Sequence, residues 1–284
     1  MSKNSKWWEK SITLVDGCSP VSESCEHCWS ATMASRFNKD LVTNGHFNGI
    51  IRLHPERLQK IPDRKKPTRW TIWNDLFHEK VPFDFIDKVF AVAALCPQHT
   101  LQILTKRADV ALEYFLSRTA IDDSQRVDRL PQYYHIITNW LDDGESGYLG
   151  KHWDACETAA EHIDFCKPLP NIHLGVTCEN QRCFNERWSI AQQIPAAKLF
   201  ISFEPLLEEI KCDFGKRKPD QIIIGCESKG KYAGRPCKLE WIESLIDQAD
   251  AAGVKVFVKQ LSINGRVSHD PNEWPEKFRR RELI

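Results

Sequence analysis

Short apolar runs alternating with amphipathic stretches constrain this chain more than any other feature. The runs are Ile12 to Val15, Thr68 to Trp73, Leu101 to Thr105, Ile172 to Val176, Lys198 to Ser202, Gln221 to Gly225 and Lys255 to Lys259. They have the length and β-branched content of strands buried on both faces. Candidate helices lie between them, at Phe83 to Cys96, Asn180 to Gln193 and Leu239 to Ala252. Strand–helix alternation calls for a parallel sheet, because parallel neighbours need a crossover long enough to hold a helix. No glycine-rich dinucleotide fingerprint follows any of the strands. The expected fold is therefore α/β, a partial or complete (β/α) TIM-type barrel with six to seven parallel strands. A chain of 284 residues suits one such domain, residues 1–284.

One segment breaks the rhythm. Residues 118–169 carry Tyr133, Tyr134, Trp140, Trp153 and the turn Asp142-Asp143-Gly144. Long insertions in compact folds tend to be functional, so a lid or substrate-facing insertion is expected here. A helical decoration of the outer wall is the alternative.

Charge narrows the function classes. Thirty-nine basic and thirty-nine acidic residues cancel, so no bulk field points to nucleic acid or membrane, although a local basic groove remains open. The start, Met1 to Trp8, has no apolar core of signal-peptide length. No run approaches the roughly 20 apolar residues of a membrane span. A soluble, cytoplasmic protein without a membrane partner is expected. The basic tail, Trp274 to Arg281, reads as a solvated terminus or a contact for an anionic partner.

Eleven cysteines are present. An odd count without a secretion signal argues against a disulfide framework. Most are scattered and read as buried small hydrophobes or free thiols. Cys18, Cys25 and Cys28 differ, because they form a compact C-x6-C-x2-C run directly after the first apolar stretch. Three thiolates can hold a metal centre and leave one position open. Zinc in a closed site would need a fourth ligand. A [4Fe–4S] cluster is normally held by four thiolates, so three would leave one iron free.

Catalytic groups of (β/α) barrels sit at the C-terminal strand ends. Here those ends carry Asp16-Gly17-Cys18, Trp73-Asn74-Asp75, Thr105-Lys106-Arg107, Thr177-Cys178-Glu179-Asn180, Ser202-Phe203-Glu204-Pro205, Cys226-Glu227-Ser228 and Lys259-Gln260. Together they would line one polar cavity facing the cysteines.

A cysteine loop between a first strand and first helix resembles the radical S-adenosylmethionine (SAM) enzymes, whose usual spacing is C-x3-C-x2-C. This chain keeps the final C-x2-C and lengthens the first gap, with room for a turn at Pro20. The run Gly17-Cys18-Ser19-Pro20-Val21-Ser22-Glu23-Ser24-Cys25-Glu26-His27-Cys28-Trp29-Ser30 is similar to the phage-type Gp37/Gp68 proteins, the domain of unknown function 5131 family. Further blocks match that family in order. They are Asn74 to Glu79, Leu104 to Arg107, Leu174 to Gln181, Ser202 to Leu207 and Phe257 to Gln260. Trp29 stands where the family usually has Tyr, and Cys226 where it usually has Gly.

The resemblance implies a [4Fe–4S] cluster on Cys18, Cys25 and Cys28, with SAM chelating the open iron. One electron then cleaves the sulfonium bond, and the resulting 5′-deoxyadenosyl radical abstracts a substrate hydrogen. It implies cofactor contacts from His27 (near adenine), Trp29, Trp73, Asn74, Asp75 (accepting from the methionine ammonium), Thr105, Thr177, Glu179, Ser202 and Glu227. Lys106, Glu204 and Asn180 are the implied catalytic set. Arg107, Arg235, Lys259 and Gln260 are the implied substrate contacts. A phage-borne family suggests a nucleic-acid substrate, such as a modified base in DNA, and spore photoproduct lyase makes thymine chemistry plausible. An electron donor such as a flavodoxin or ferredoxin would be the partner, in the cytoplasm of a bacterial host if the gene is phage-borne. The competing expectation is a zinc- or cluster-stabilised nucleic-acid-binding or recruitment module without catalysis. A hydrolase using Glu204 or Glu227 is a third, which leaves the cysteine triplet without a purpose.

Overall fold

A computed structural model describes residues 6–118, 136–137, 139, 152, 154, 157–158, 161, 163, 167–229 and 232–284. The expected insertion over 118–169 falls almost wholly outside the described residues.

Seven parallel strands form the body of a mixed α/β fold. They are β1 (Lys10–Ile12), β2 (Arg69–Ile72), β3 (Thr100–Thr105), β4 (Ile172–Thr177), β5 (Lys198–Phe203), β6 (Gln221–Gly225) and β7 (Lys255–Ile263). Each pairs with its predecessor, so spatial order follows chain order. Beyond β7 the sheet continues antiparallel through Arg266–Ser268, Tyr232–Ala233 and Ser228–Lys229. Five helices with described bounds accompany them: α1 (Trp29–Phe37), α2 (Phe83–Leu95), α3 (Ala108–Arg118), α4 (Gln181–Ala191) and α5 (Leu239–Ala252).

The two faces of the sheet are chemically different. Leu101, Ile103, Leu174, Val176, Leu199, Ile201, Ile222, Ile224, Val256 and Val258 join one core with α2 to α5. A singly wound order with right-handed crossovers places α2 to α5 on the same side, while α1 packs through Ala31 on Leu41 and Phe47. The alternate positions form a second, smaller cluster, in which Phe200, Ile223 and Phe257 pack with Trp7. Gly175 makes room for it: a Cβ there would lie 2.3 Å from the Phe200 ring. Gln102 and His173, side by side in register, are buried, and their position parity sets them on this second face too. Burial holds the His173 pKa down to about 4, so its ring is neutral at pH 7.

The expected strands are found with ends shifted by at most one residue, except the first and the last, which runs four residues past Lys259 to Ile263. The apolar run Ile12 to Val15 does not form one strand. The chain leaves the sheet after Ile12, and Val15–Asp16 pairs antiparallel with Arg52–Leu53 instead. Leu14 and Val15 are both fully buried, which accounts for the unbroken apolar run across the bend. No described helix is long and apolar enough to cross a membrane.

Candidate functional site

The loop from Gly17 to Cys28 connects the end of the first apolar run to α1. Gly17 has φ +86°, and a Cβ there would sit 1.9 Å from the Ile50 carbonyl oxygen. Glycine alone tolerates both conditions, so Gly17 sets the direction in which the cysteine loop departs. Cys18, Cys25 and Cys28 are free thiols, all partly buried. They line one cavity of about 280 Å³.

Side chains from the ends of the parallel strands tie this loop down. From β3, the Lys106 ammonium donates to Ser22 Oγ (3.4 Å) and Ser24 Oγ, and stands 3.4 Å from Cys25 Sγ. Arg107 donates to the Ser19 carbonyl (3.1 Å) and Ser19 Oγ (2.7 Å), with Nη1 3.8 Å from Cys18 Sγ. Beyond β4, Glu179 accepts from Ser24 Oγ at 3.0 Å. Beyond β6, Glu227 meets His27 Nδ1 at 3.1 Å and Arg235 Nη2 at 2.6 Å, and Arg235 donates to the Glu23 carbonyl at 3.3 Å. Gly234 leaves space for the Glu227 carboxylate, since a Cβ there would lie 2.3 Å from its Oε2.

The β2 end works on the far side of the loop. Asn74, in the left-handed region at φ +62°, donates to the Val15 carbonyl (2.8 Å) and accepts from Ser30 Oγ (2.7 Å). Trp73 Nε1 donates to Ser30 Oγ at 3.0 Å, and its ring meets Trp29 edge to face at 4.2 Å. Asp75 accepts from Thr105 Oγ1 (2.7 Å), Arg107 Nη1 (2.9 Å) and the backbone N–H groups of Phe77 and Lys106. A carboxylate has about four acceptor positions, so a ligand ammonium reaching Asp75 must displace one of these donors.

The local field is graded across the three thiols. Burial raises the Cys25 pKa, but Lys106 and the backbone N–H groups of Val21 and Ser22 outweigh it, so the net shift is downward. Burial and the Asp75 carboxylate push Cys18 up to about 11, against the opposing pull of Arg107. Burial also raises Cys28. Cys25 is thus the thiol most ready to ionise, and its charge disfavours ionisation of the other two.

On the opposite wall, Lys259 Nζ lies 3.1 Å from Glu204 Oε1, and Ser202 Oγ donates to Glu204 Oε2 at 3.3 Å. Gly225 admits that carboxylate, since a Cβ there would lie 2.8 Å from Glu204 Oε1. Thr177, Gln260, Cys226 and Ser228 complete this side. The Gln260 amide is already used, donating to the Cys226 carbonyl at 2.6 Å.

Most residues expected at the site therefore share one cavity: His27, Trp29, Trp73, Asn74, Asp75, Thr105, Lys106, Arg107, Thr177, Ser202, Glu204, Glu227, Lys259 and Gln260 with the three cysteines. Three stand apart. Asn180 caps α4, its Oδ1 accepting from the Cys183 N–H at 2.8 Å, and is not in the cavity wall. Glu179 is fully buried behind the wall, paired with Arg187 at 2.7 Å. Arg235 holds Glu227 from outside it. Ser19, Ser22, Ser24, Glu79, Trp7 and Trp8 belong to the site's wall or its ties and were not anticipated. The adjacent tryptophans in a polar leader were the readable signal. The serines carried none, because their role depends on which strand end they meet.

An all-thiolate donor set suits zinc or an iron–sulfur cluster, and the adjacent cations suit thiolate charge. Among the described residues, however, no three metal-binding side chains are gathered closely enough to hold an ion. The donor chemistry fits a metal centre; the thiols would have to draw together to bind one.

Fold and site define a mixed α/β protein with a thiol-lined cavity at the C-terminal edge of a parallel sheet. A family model described as a protein of unknown function, DUF5131, matches residues 2–276. The chain belongs to the DUF5131 family. No curated protein and no solved structure matches it.

Proposed function

We propose that this protein is a radical SAM enzyme built on a (β/α) barrel, with Cys18, Cys25 and Cys28 holding a [4Fe–4S] cluster. One observation carries the reading. The three cysteines open into the same cavity as polar residues from the ends of β2 to β6 and from within β7, where barrel enzymes keep their chemistry. When bound, the cluster supplies the electron that cleaves SAM and so permits hydrogen abstraction from an unactivated C–H bond.

The chain's own residues orient and shield. Lys106 and Arg107 offset thiolate charge and hold the loop's serines. His27 and Trp29 stand at the cavity mouth, where an adenine ring finds a planar partner. The Lys259–Glu204 pair with Ser202 offers a charged and a hydroxyl contact for substrate on the wall opposite. The substrate we propose is a nucleobase, modified in DNA, with a flavodoxin or ferredoxin as donor and the bacterial cytoplasm as the setting.

Anaerobic reconstitution tests this. About four irons per chain, absorption near ~400 nm and dithionite-dependent formation of 5′-deoxyadenosine are expected. Cys18→Ala, Cys25→Ala and Cys28→Ala should each abolish SAM cleavage. A colourless protein with one tightly held zinc overturns the enzyme and supports the non-catalytic module. Full activity in any cysteine variant overturns the three-thiolate site.

A further inference from the structure

A second concavity lies beside the start of β1, of about 560 Å³, lined by Lys6, Trp8, Glu9, Lys10, Ser11, Lys60, Asp63, Arg64 and Trp70. Its charge is unbalanced in a chain whose net charge is zero. Both acids are engaged: Glu9 accepts from the Arg69 N–H at 2.8 Å, and Asp63 pairs with His152 at 2.7 Å. Among the described residues, none of Lys6, Lys10, Lys60 and Arg64 meets a carboxylate. Arg64 Nε reaches only the Thr68 hydroxyl at 3.0 Å, and Lys6 lies over the Trp8 ring at 5.7 Å. The cations around the thiol cavity are different. Lys106, Arg107, Arg187, Arg235 and Lys259 each face a carboxylate.

A second observation points the same way. Trp70 lines the groove and is 5 % exposed, yet its buried Nε1–H has no acceptor among the described residues. A buried donor without an acceptor is costly, and an anionic oxygen reaching it would satisfy it. Lys65 and Lys66, both exposed, extend the positive surface past Arg64. Trp8 is common to the walls of the groove and of the thiol cavity.

We infer that this groove binds single-stranded nucleic acid, the cations taking its phosphates and the Trp8 ring taking a base face in place of the Lys6 ammonium that covers it. Spaced cations with interleaved aromatic rings are the physical basis of strand binding, one set neutralising the backbone and the other stacking bases. The inference rests on the nucleobase reading above for the purpose of the strand, but its binding stands apart from the chemistry. Trp8 lines both hollows, the groove at the N-terminal ends of β1 and β2 and the cysteines beyond their C-terminal ends, so the groove would anchor the strand away from the reacting base.

The test uses metal-free protein without SAM, so failure of the radical chemistry leaves it intact. The probe is a fluorescein-labelled oligothymidylate of about 20 nucleotides, followed by anisotropy between 50 and 200 mM salt. Four phosphate contacts give a slope of log affinity on log salt of about −2.8, a loss of roughly 50-fold over that range. The double variant Lys10→Gln, Lys60→Gln alters exposed side chains only. It should halve the slope and reduce the salt loss to roughly 7-fold. Lys216→Gln, Lys229→Gln removes the same charge elsewhere and should bind as the parent does. Equal weakening in both double variants, an unchanged slope in the first, or displacement of the strand by equimolar tripolyphosphate would each overturn the inference. The last would assign a small-anion pocket instead.

Discussion

Glu179→Gln is the substitution whose consequence the structure sizes best. Glu179 is fully buried, accepts from Arg187 at 2.7 Å and from Ser24 at 3.0 Å, and lies 4.0 Å from Lys106. Burial alone would raise its pKa; Lys106 and Arg187 more than reverse that and hold it at about 2. Against an ordinary value of 4.5, the depression stabilises the folded chain by roughly 3 kcal/mol. The sign follows from the depressed folded-state value. This stability is present above pH 4.5 and is lost as pH falls through the range to about 2. Glutamine keeps the shape and removes the charge, leaving Arg187 buried without its counter-ion, a change that costs about 3–5 kcal/mol in comparable pairs. Spread over the unfolding entropy of 284 residues, ~3 kcal/mol lowers Tm by about 5 °C. Thermal unfolding at pH 7 and an acid titration of both proteins measure this. The variant should melt lower and lose less further stability between pH 4.5 and 2 than the parent. Equal Tm values at pH 7 with superimposable acid limbs would refute the reasoning. Ser24 also loses a charged acceptor, so alkylation of Cys25 should quicken.

Three further outcomes are expected. Lys106→Met removes the cation that lowers the Cys25 pKa, so the pH midpoint for iodoacetamide labelling of Cys25 in metal-free protein should move upward. Gly175→Ala drives a methyl into the Phe200 ring, and overpacking of this kind costs about 1–3 kcal/mol, read as a lower urea midpoint. Gly17→Ala meets both a left-handed φ and the Ile50 carbonyl; it should reduce iron uptake on reconstitution more than it reduces Tm, and an equal loss of both would argue against a local effect.

The sheet was readable because its strands are buried on both faces and leave unbroken apolar runs. β6 was expected over its observed residues, and β5 ends one residue later than expected. The first strand misled for the same reason. Leu14 and Val15 are as buried as strand residues, but hydrophobicity does not record a bend. Within the site, the strand ends announced which residues face the cavity, not what they hold. Glu179 and Asn180 are neighbours with unrelated tasks, one an ion-pair centre behind the wall and the other a helix cap. Both look alike in a polar strand end, although an Asn three residues before Cys183, opening an amphipathic stretch, is an N-cap signature. The Glu227–Arg235 tie to His27 and Glu23 spans some two hundred positions and is a product of topology that no local pattern contains.

The cysteine loop owes its shape to residues that follow it in the chain. Cys28 is followed much later by Lys106 and Arg107, then Glu179, then Glu227 and Arg235. During synthesis from the N-terminus, the thiols emerge first and wait for the groups that fix them. The last clasp, Arg235 on the Glu23 carbonyl, forms only when about four-fifths of the chain exists. On a ribosome adding about 5–20 residues per second, that leaves three accessible thiols unguarded for roughly ten seconds or more. An order of assembly is thereby written into the fold: thiols first, the side chains that clasp them second, and any metal third.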